Sequence, residues 1–467
     1  MLERVQITNP EAVQEVSVQT GNFDAEFGRA GGAVINATIR SGTNQFHGNV
    51  FEFFRNNVLD ANGYFRNRNV ATAKRNGFKR NIFGGTLGGP IKKDKLFYFF
   101  SYERTMEGTG YEGDYSVAPQ AFRNGDFSAW NNYAKVYDPA TAPQDTPELR
   151  TQFAGNIIPS ARISSIFNKI QALAPLPNQP GSGVGNLDRN FTTSGTFKLD
   201  RNNYDFKTNY NLSEKLMIWG KYSRMDSPVT GLVPFGVLVG DPIGSASPGN
   251  GDTTVQIPTA GFNLTISPTM FVDGVFGYPR FDQTVQGLDF GTNYGSDVFG
   301  IPGTNGGQQF ANDKRYSGMP VFDQGLSTWG QTATWIPLFR NDRSYTFTTN
   351  ASKLHRGHEF RFGYDMVRHA MNHWQPELGE GPRGAFGFDP GVTALNPAAL
   401  EATAGFRGDT PSFENGWNGL AGFLLGTPTF SGKSSQNIKM DSFENIYALY
   451  VRDRWRATPK LTVNLGL

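Results

Sequence analysis

The 467-residue chain contains no cysteine. Disulfide frameworks, thiolate metal sites and cysteine nucleophiles are excluded with it. No apolar run approaches the roughly 18–20 residues that a transmembrane helix needs. That absence leaves a membrane barrel open, because a spanning strand needs only about 9–11 residues and alternates its two faces. An excess of one charge sign is missing too: 43 Lys and Arg against 41 Asp and Glu give a formal net charge of +2. A nucleic-acid binder usually shows a clustered basic surplus, so nucleic acid is not an expected partner. Aliphatic core material is thin, with hydrophobic residues at only 38%.

Glycine and aromatics fill the gap. Glycine makes up 56 residues, about 12% against a usual level of roughly 7%. Phe and Tyr number 39 and 17. Much aromatic, glycine and polar residue with little aliphatic core predicts many strands and long loops. Period-two alternation bears this out along the chain. In LFYFFSYE (96–103), Leu96, Tyr98, Phe100 and Tyr102 share one face, opposite Phe97, Phe99, Ser101 and Glu103. NYDFKTNY (203–210), LMIWGKYS (216–223), HEFRFGYDM (358–366) and YALYVRDRW (447–455) repeat the pattern, one face greasy and the other charged.

The connections are more telling than the strands. Short turns at 91–95, 211–215, 267–269, 354–357 and 458–460 alternate with long Gly/Asn/Pro-rich stretches at roughly 56–80, 104–198, 226–255, 284–342 and 370–440. Unstructured loops of that length are unusual in a compact soluble domain. An outer-membrane barrel has short periplasmic turns and long extracellular loops. The expected fold is therefore all-β, a transmembrane antiparallel barrel of about eleven strands. A secreted all-β protein is the alternative, and a propeller is disfavoured because no 40–50-residue repeat occurs. No amphipathic helix is required, although 161–175 (ARISSIFNKIQALAP) could form a short one.

The glycine cluster in EFGRAGGAVINATIRSGTNQFHG (26–48) invites a phosphate-loop reading, which fails. The loop lacks lysine, and AVINATIR continues as strand where a helix should start. Its glycines suit close backbone approach and positive φ, and SGTN (41–44) supplies turn residues.

Chemistry-bearing clusters are few. His355 and His358 lie three apart, and His369 and His373 four apart, without the helical context that would make either a ligand pair. Carboxylates are scattered, and no G-x-S-x-G occurs. We expect no catalytic, cofactor-binding or metal site. On the polar strand faces stand Glu103, Asp205, Lys207, Lys221, Glu359, Arg361, Asp365 and Arg452, which fit a wet barrel lumen. Trp130, Trp329, Trp335, Trp374 and Trp417 lie in the long connections, where they could grip a ligand, form an interfacial girdle or anchor a loop core.

EAVQEVSVQTGNFDAEFGRAGGAVINATIRSGTN (11–44) resembles the end of the plug domain of TonB-dependent outer-membrane receptors. FHGNVFEFFRNNVLDANGYF (46–65) and RNIFGGTLGGPIKKDKLFYFFSYE (80–103) are similar to the Oar-like branch, as are GDFS (125–128), FAGNIIP (153–159), FLLGTP (423–428) and YVRDRWRATPKLTVNLGL (450–467). The resemblance implies residues 1–44 as the last part of a plug and 45–467 as the first part of a barrel. Such barrels have about 22 strands and a plugged lumen, so roughly half would lie elsewhere, and both termini read as interior points of a longer protein. It implies Gly28, Gly31, Gly32, Ser41 and Gly42 as the joint between plug and wall. It also implies a Gram-negative outer-membrane location in contact with lipid. The partners would be the TonB complex, met through an upstream segment, and an extracellular ligand that could be an oligosaccharide, chelate, peptide or protein. Gated transport without covalent chemistry follows, with adhesion or protein secretion on the same scaffold as the alternative and a secreted carbohydrate-binding protein as a second. Thr20-Gly21 stands where many members carry Arg-Gly, so any charged latch between plug and wall must be built differently here.

Overall fold

A computed structural model of the chain describes residues 9–21, 25–27, 32–61, 77–133, 135–143, 146–240, 249–330, 334–376, 380–395, 413–436 and 438–467. Two strands, β1 (Val13–Gln19) and β2 (Val34–Ile39), pair antiparallel as a small separate sheet. The other long strands form one antiparallel meander: β3 (His47–Asn56), β4 (Phe78–Lys92), β5 (Leu96–Tyr115), β6 (Phe191–Asn211), β7 (Leu216–Thr230), β8 (Asn250–Ser267), β9 (Met270–Gly277) and β10 (Arg280–Gln286). Four short strands, β11 (Val321–Asp323), β12 (Thr328–Trp329), β15 (Ala385–Gly387) and β16 (Phe430–Gly432), make a third sheet. The meander resumes with β13 (Leu338–His355), β14 (His358–Trp374), β17 (Met440–Thr458) and β18 (Leu461–Gly466).

β9 and β10 are two halves of a single crossing. Both pair with β8 on one side and β13 on the other. The break falls at Tyr278-Pro279, because proline has no N–H for the ladder. Counting that pair once, the 12-stranded sheet makes eleven crossings, as the alternation of turns and loops predicts. All five short turns fall where the sequence places them. Asp94 and Arg356 take the left-handed backbone conformation inside two of them (φ 63° and 54°).

The crossings run farther than the aromatic alternation. β5 has 20 residues and β6 has 21, about twice what a bilayer needs, so the second long connection is 116–190 rather than 104–198. The extra lengths, such as GTGYEGDY (108–115), are polar and are held by ladder hydrogen bonds, which leave no hydropathy signal.

Side-chain alternation splits the sheet. On one face Phe100, Phe206, Phe362 and Leu449 are exposed, while Ser101, Glu103 and Asp205 on the other are buried. Three cross-strand pairs set an aromatic ring over a glycine: Tyr450 over Gly363, Trp219 over Gly261 and Phe262 over Gly274. A methyl group added at Gly363 would lie 1.9 Å from the Tyr450 ring. Such pairs fix strand register by filling the space a side chain would occupy.

The long connections are folded, not loose. They assemble at one end of the sheet around an aromatic core built on helix α3 (Phe413–Leu425), with α1 (Gln120–Arg123) and α2 (Ser165–Gln171) beside it. α2 lies inside the segment where the sequence allows a short helix. α3 is a correction to the expectation that none is needed. Its Trp417, Leu420, Ala421, Phe423 and Leu424 are all buried, and a helix wrapped on all sides shows no amphipathic stripe. Trp417 stands edge-on to Phe122 at 5.0 Å, and Phe423 packs against Phe167 at 4.9 Å and Phe388 at 5.1 Å. The tryptophan alternatives resolve accordingly. Trp130, Trp329 and Trp417 are buried anchors of this cap, Trp374 is buried at the end of β14 against Tyr316 and Phe339, and Trp335 is half-buried.

Buried arginines tie the cap together. Arg123 donates to the carbonyls of Ala118, Gln171, Ala174 and Pro175, and so closes the C-terminal end of α2. Arg150 donates to the carbonyls of Gly391 and Ala394, joining two connections far apart in sequence. Arg383 is fully enclosed opposite Asp289, and burial pushes its guanidinium down to about 10.

Arg162 clamps Asp138 with two hydrogen bonds, at 2.6 and 2.7 Å. Those bonds hold the Asp138 carboxyl below the ordinary carboxylate range. A carboxyl held low in the fold contributes stability above its unfolded pKa of about 3.9 and loses it as pH falls through the lower folded value. The cap should therefore melt at lower temperature as pH drops below about 4. In Asp138→Asn this step should shrink, as read by near-UV circular dichroism. On the exposed apolar face, Phe206→Arg sits opposite Phe100, in the middle of the aromatic band. It should cost about 2–4 kcal/mol in urea unfolding from lipid vesicles.

Candidate functional site

The site lies where the N-terminal segment rests on the polar face of the sheet. Strand register builds that face as rows. Phe99, Lys207, Lys221 and Thr259 are successive cross-strand neighbours, as are Ser101, Asp205 and Ser223. A third row runs Tyr450, Gly363, Asn350, Asp273 and Asn263.

The N-terminal segment docks on these rows mainly through polar bonds. Ala12, Ile39 and Phe99 form its one small apolar contact cluster among the described residues. Asn9 Nδ2 donates to Ser101 Oγ at 2.8 Å, and Asn49 Nδ2 on β3 donates to Glu11 Oε2 at 2.8 Å. Lys207 Nζ donates to the Ile39 carbonyl at 2.9 Å. Glu26 forms an ion pair with Arg361 at 2.9 Å. Arg361 Nε also donates to Tyr450 Oη at 3.0 Å. The Tyr450 hydroxyl in turn donates to Asn350 Oδ1 at 2.7 Å, and Asn350 Nδ2 donates to Asp273 at 2.9 Å. Arg361 is thus aimed by a relay across four strands.

Each sequence-predicted residue has a definite place. Glu103 is buried beside Arg201 at 3.8 Å and accepts from Asn203 Nδ2 at 3.2 Å. Asp205 accepts from Ser223 Oγ at 2.6 Å. Glu359 accepts from Arg452 Nη2 at 3.1 Å. Asp365 lies on the same face two residues beyond Gly363, with Thr348 and Ala448 as its cross-strand neighbours. Lys221 flanks Lys207. The structure brings Lys207, Lys221 and Arg361 to the N-terminal segment or the space beside it, whereas Glu103, Glu359 and Arg452 are occupied within the wall.

Of the expected joint residues, Gly28 and Gly31 lie outside the described residues. At Gly42 the backbone passes so close to the wall that an added methyl would sit 2.2 Å from the Tyr98 carbonyl oxygen. Close approach, not positive φ, is what demands glycine there. Ser41 precedes it, and both line a cavity between the N-terminal segment and the wall. Gly32 has open space around it and no positive φ, so nothing in its surroundings requires glycine.

The histidines do not converge. His355 and His358 end one strand and begin the next. The turn falls between them, and they are cross-strand partners. His358 Nδ1 lies 2.8 Å from Asp453 on the apolar face, stacked between Phe360 and Trp455. His369 Nδ1 meets Ser344 Oγ at 2.7 Å. Among the described residues no group of three or more potential metal ligands forms.

Sequence reasoning missed Glu26 and the Tyr450–Asn350–Asp273 relay. A glycine inside an alternating strand, Gly363, was the available signal, since it marks close approach of another group. The latch left open by Thr20-Gly21 has the opposite polarity: the N-terminal segment supplies the carboxylate and the wall the guanidinium.

Residues 38–467 match the family described as "Outer membrane beta barrel domain". Over 94 residues the chain is 43% identical to the TonB-dependent transporter Oar of Myxococcus xanthus, a stretch covering 20% of this chain and 9% of that one. Among solved structures, the outer membrane transporter YddB of Escherichia coli is similar at a TM-score of 0.48 and 10% identity, over 98% of this chain and 43% of that one. The siderophore receptor PirA of Acinetobacter baumannii is similar at 0.44 and 12%, over 98% and 43%. The chain thus spans less than half the length of these relatives.

A double-mutant cycle over Glu26→Ala and Arg361→Ala should show a coupling of about 1–3 kcal/mol in urea unfolding. Each single variant should also release the N-terminal segment to protease faster than the parent chain. Strictly additive energies with unchanged cleavage would contradict the latch.

Proposed function

Because the chain belongs to the outer membrane beta barrel domain family, we propose that it is part of a TonB-dependent receptor of the Oar-like branch in the Gram-negative outer membrane. Residues 1–44 are read as the end of the plug and 45–467 as the first part of the barrel. Glu103, Lys207, Lys221, Glu359, Arg361, Asp365 and Arg452 are read as lumen residues.

The observation that carries this reading is the seating of β1 and β2 on the polar face. They are held by a handful of hydrogen bonds and the Glu26–Arg361 pair, with a single small apolar cluster. A structural domain fixed for good would bury an apolar interface. A plug that must leave and return is better served by polar bonds, which water can replace at a net cost of about 0.5–1.5 kcal/mol each. The TonB complex would pull through a segment outside these residues, and the displaced plug would open a path along the lumen. Transport of this kind needs no covalent chemistry and no cofactor. The extracellular ligand is one of an oligosaccharide, chelate, peptide or protein.

The folded cap favours adhesion or protein secretion as the second reading, because an aromatic-cored module makes a durable contact platform. Membership in an outer-membrane family, and the exposed aromatics of the apolar face, weigh against a secreted carbohydrate-binding protein.

The absence of cysteine from these 467 residues makes a clean test possible. In cells producing the full-length protein, with any cysteine outside these residues replaced by serine, Thr38→Cys places a single thiol at the cavity between β2 and the wall. Labelling by a membrane-impermeant maleimide should rise at least about threefold in energised cells and collapse when a protonophore is added. Equal labelling in both states would remove the transporter reading and leave the adhesion one.

A further inference from the structure

A cavity of about 650 Å³ lies between the N-terminal segment and the wall, near the short turns. Thr38 and Ser41 line it on one side, and Lys207, Lys221, Asn209 and Asn263 on the other, with Trp219 beside them. Lys207 and Lys221 are direct cross-strand neighbours, a position in which like charges repel. The chain only partly compensates them. Lys207 gives one N–H to the Ile39 carbonyl at 2.9 Å and keeps two further donors. Lys221 makes no hydrogen bond or ion pair within 4 Å among the described residues, although the Asp205 carboxylate, bonded to Ser223, lies in the adjoining row. Two ammonium groups and one carboxylate leave one net positive charge at the cavity wall. Among the described residues the buried Asn209 Oδ1 also has no hydrogen-bond partner.

We propose that this cavity is an anion site that takes a small solute through a carboxylate or phosphate group held between Lys207 and Lys221. An anion there removes the like-charge repulsion and uses donors that the chain leaves idle. Charge-assisted bonds in a confined space are the stronger kind. Because Lys207 also holds the Ile39 carbonyl, occupancy is coupled to the seating of β2. The site goes beyond the transport reading and does not depend on it, since binding is measured without energisation.

The test is an equilibrium titration of the full chain in detergent micelles, with inorganic phosphate and separately with citrate, at constant ionic strength set by sodium chloride. Intrinsic tryptophan fluorescence is the readout, and Trp219→Phe identifies the part of the signal that arises at the cavity among the seven tryptophans. We expect a saturable change with at least one of the two anions, and which one saturates tells phosphate from carboxylate. Affinity should fall at least about tenfold in Lys221→Gln and stay within about threefold in Lys221→Arg. Should Lys221→Gln fail to fold, Lys207→Gln is held to the same tenfold criterion. A signal that does not saturate with either anion, or that survives undiminished in the glutamine variant, overturns the proposal. So does equal loss in Lys221→Gln and Lys221→Arg.

Discussion

Every backbone amide that crosses a bilayer must find its partner inside the protein, because the hydrocarbon offers none. The rest of this structure follows from that constraint. With no apolar run long enough for a helix, the chain satisfies its amides strand to strand, and the long strands from β3 to β18, apart from the four short strands of the third sheet, pair in sequence order through eleven crossings. The meander then dictates the side-chain arrangement. Each crossing gives one face to lipid and one to the interior, and residues as far apart in sequence as Ser101, Asp205 and Ser223 become neighbours in a row.

The two faces obey different physics. On the apolar face Phe100, Phe206, Phe362 and Leu449 are exposed because lipid is their solvent. On the polar face charges cannot stay bare in a confined space, so they pair with one another or with the N-terminal segment. Glu103, Glu359 and Arg452 are satisfied within the wall. Lys207 and Arg361 are satisfied by residues that arrive from outside the sheet. That division separates charges that build the wall from charges that hold something against it. It also leaves the lysine pair, where compensation stops short.

Much of this was legible beforehand. The alternation around Phe100 and Phe206 gave the strands and their faces, and short turns such as NLSEK fixed the connectivity. The polar residues predicted to face inward do share one face. Gly42 was legible only as a turn residue of SGTN, and the structure adds the Tyr98 carbonyl against which its backbone passes. The cap was not legible. α3 is buried on every side over 416–424, β11, β12, β15 and β16 are two or three residues long, and the β11–β15 pair that joins them links two connections more than sixty residues apart. The Glu26–Arg361 pair escaped for a similar reason, since no spacing rule links positions 335 residues apart.

The sequence by itself determined the fold class, the number of crossings and the sidedness of the strands that alternate cleanly. Those depend on period-two alternation and on turn chemistry, both of which act within a few residues. Only the tertiary structure decided which polar residues meet the N-terminal segment, that the latch sets a carboxylate on that segment against a guanidinium on the wall, and that the long connections condense into a cap. Each of those depends on which rows come into register and which loops share a core. Register is a property of paired strands, and a core is a property of packed segments, so neither can be written in one stretch of chain.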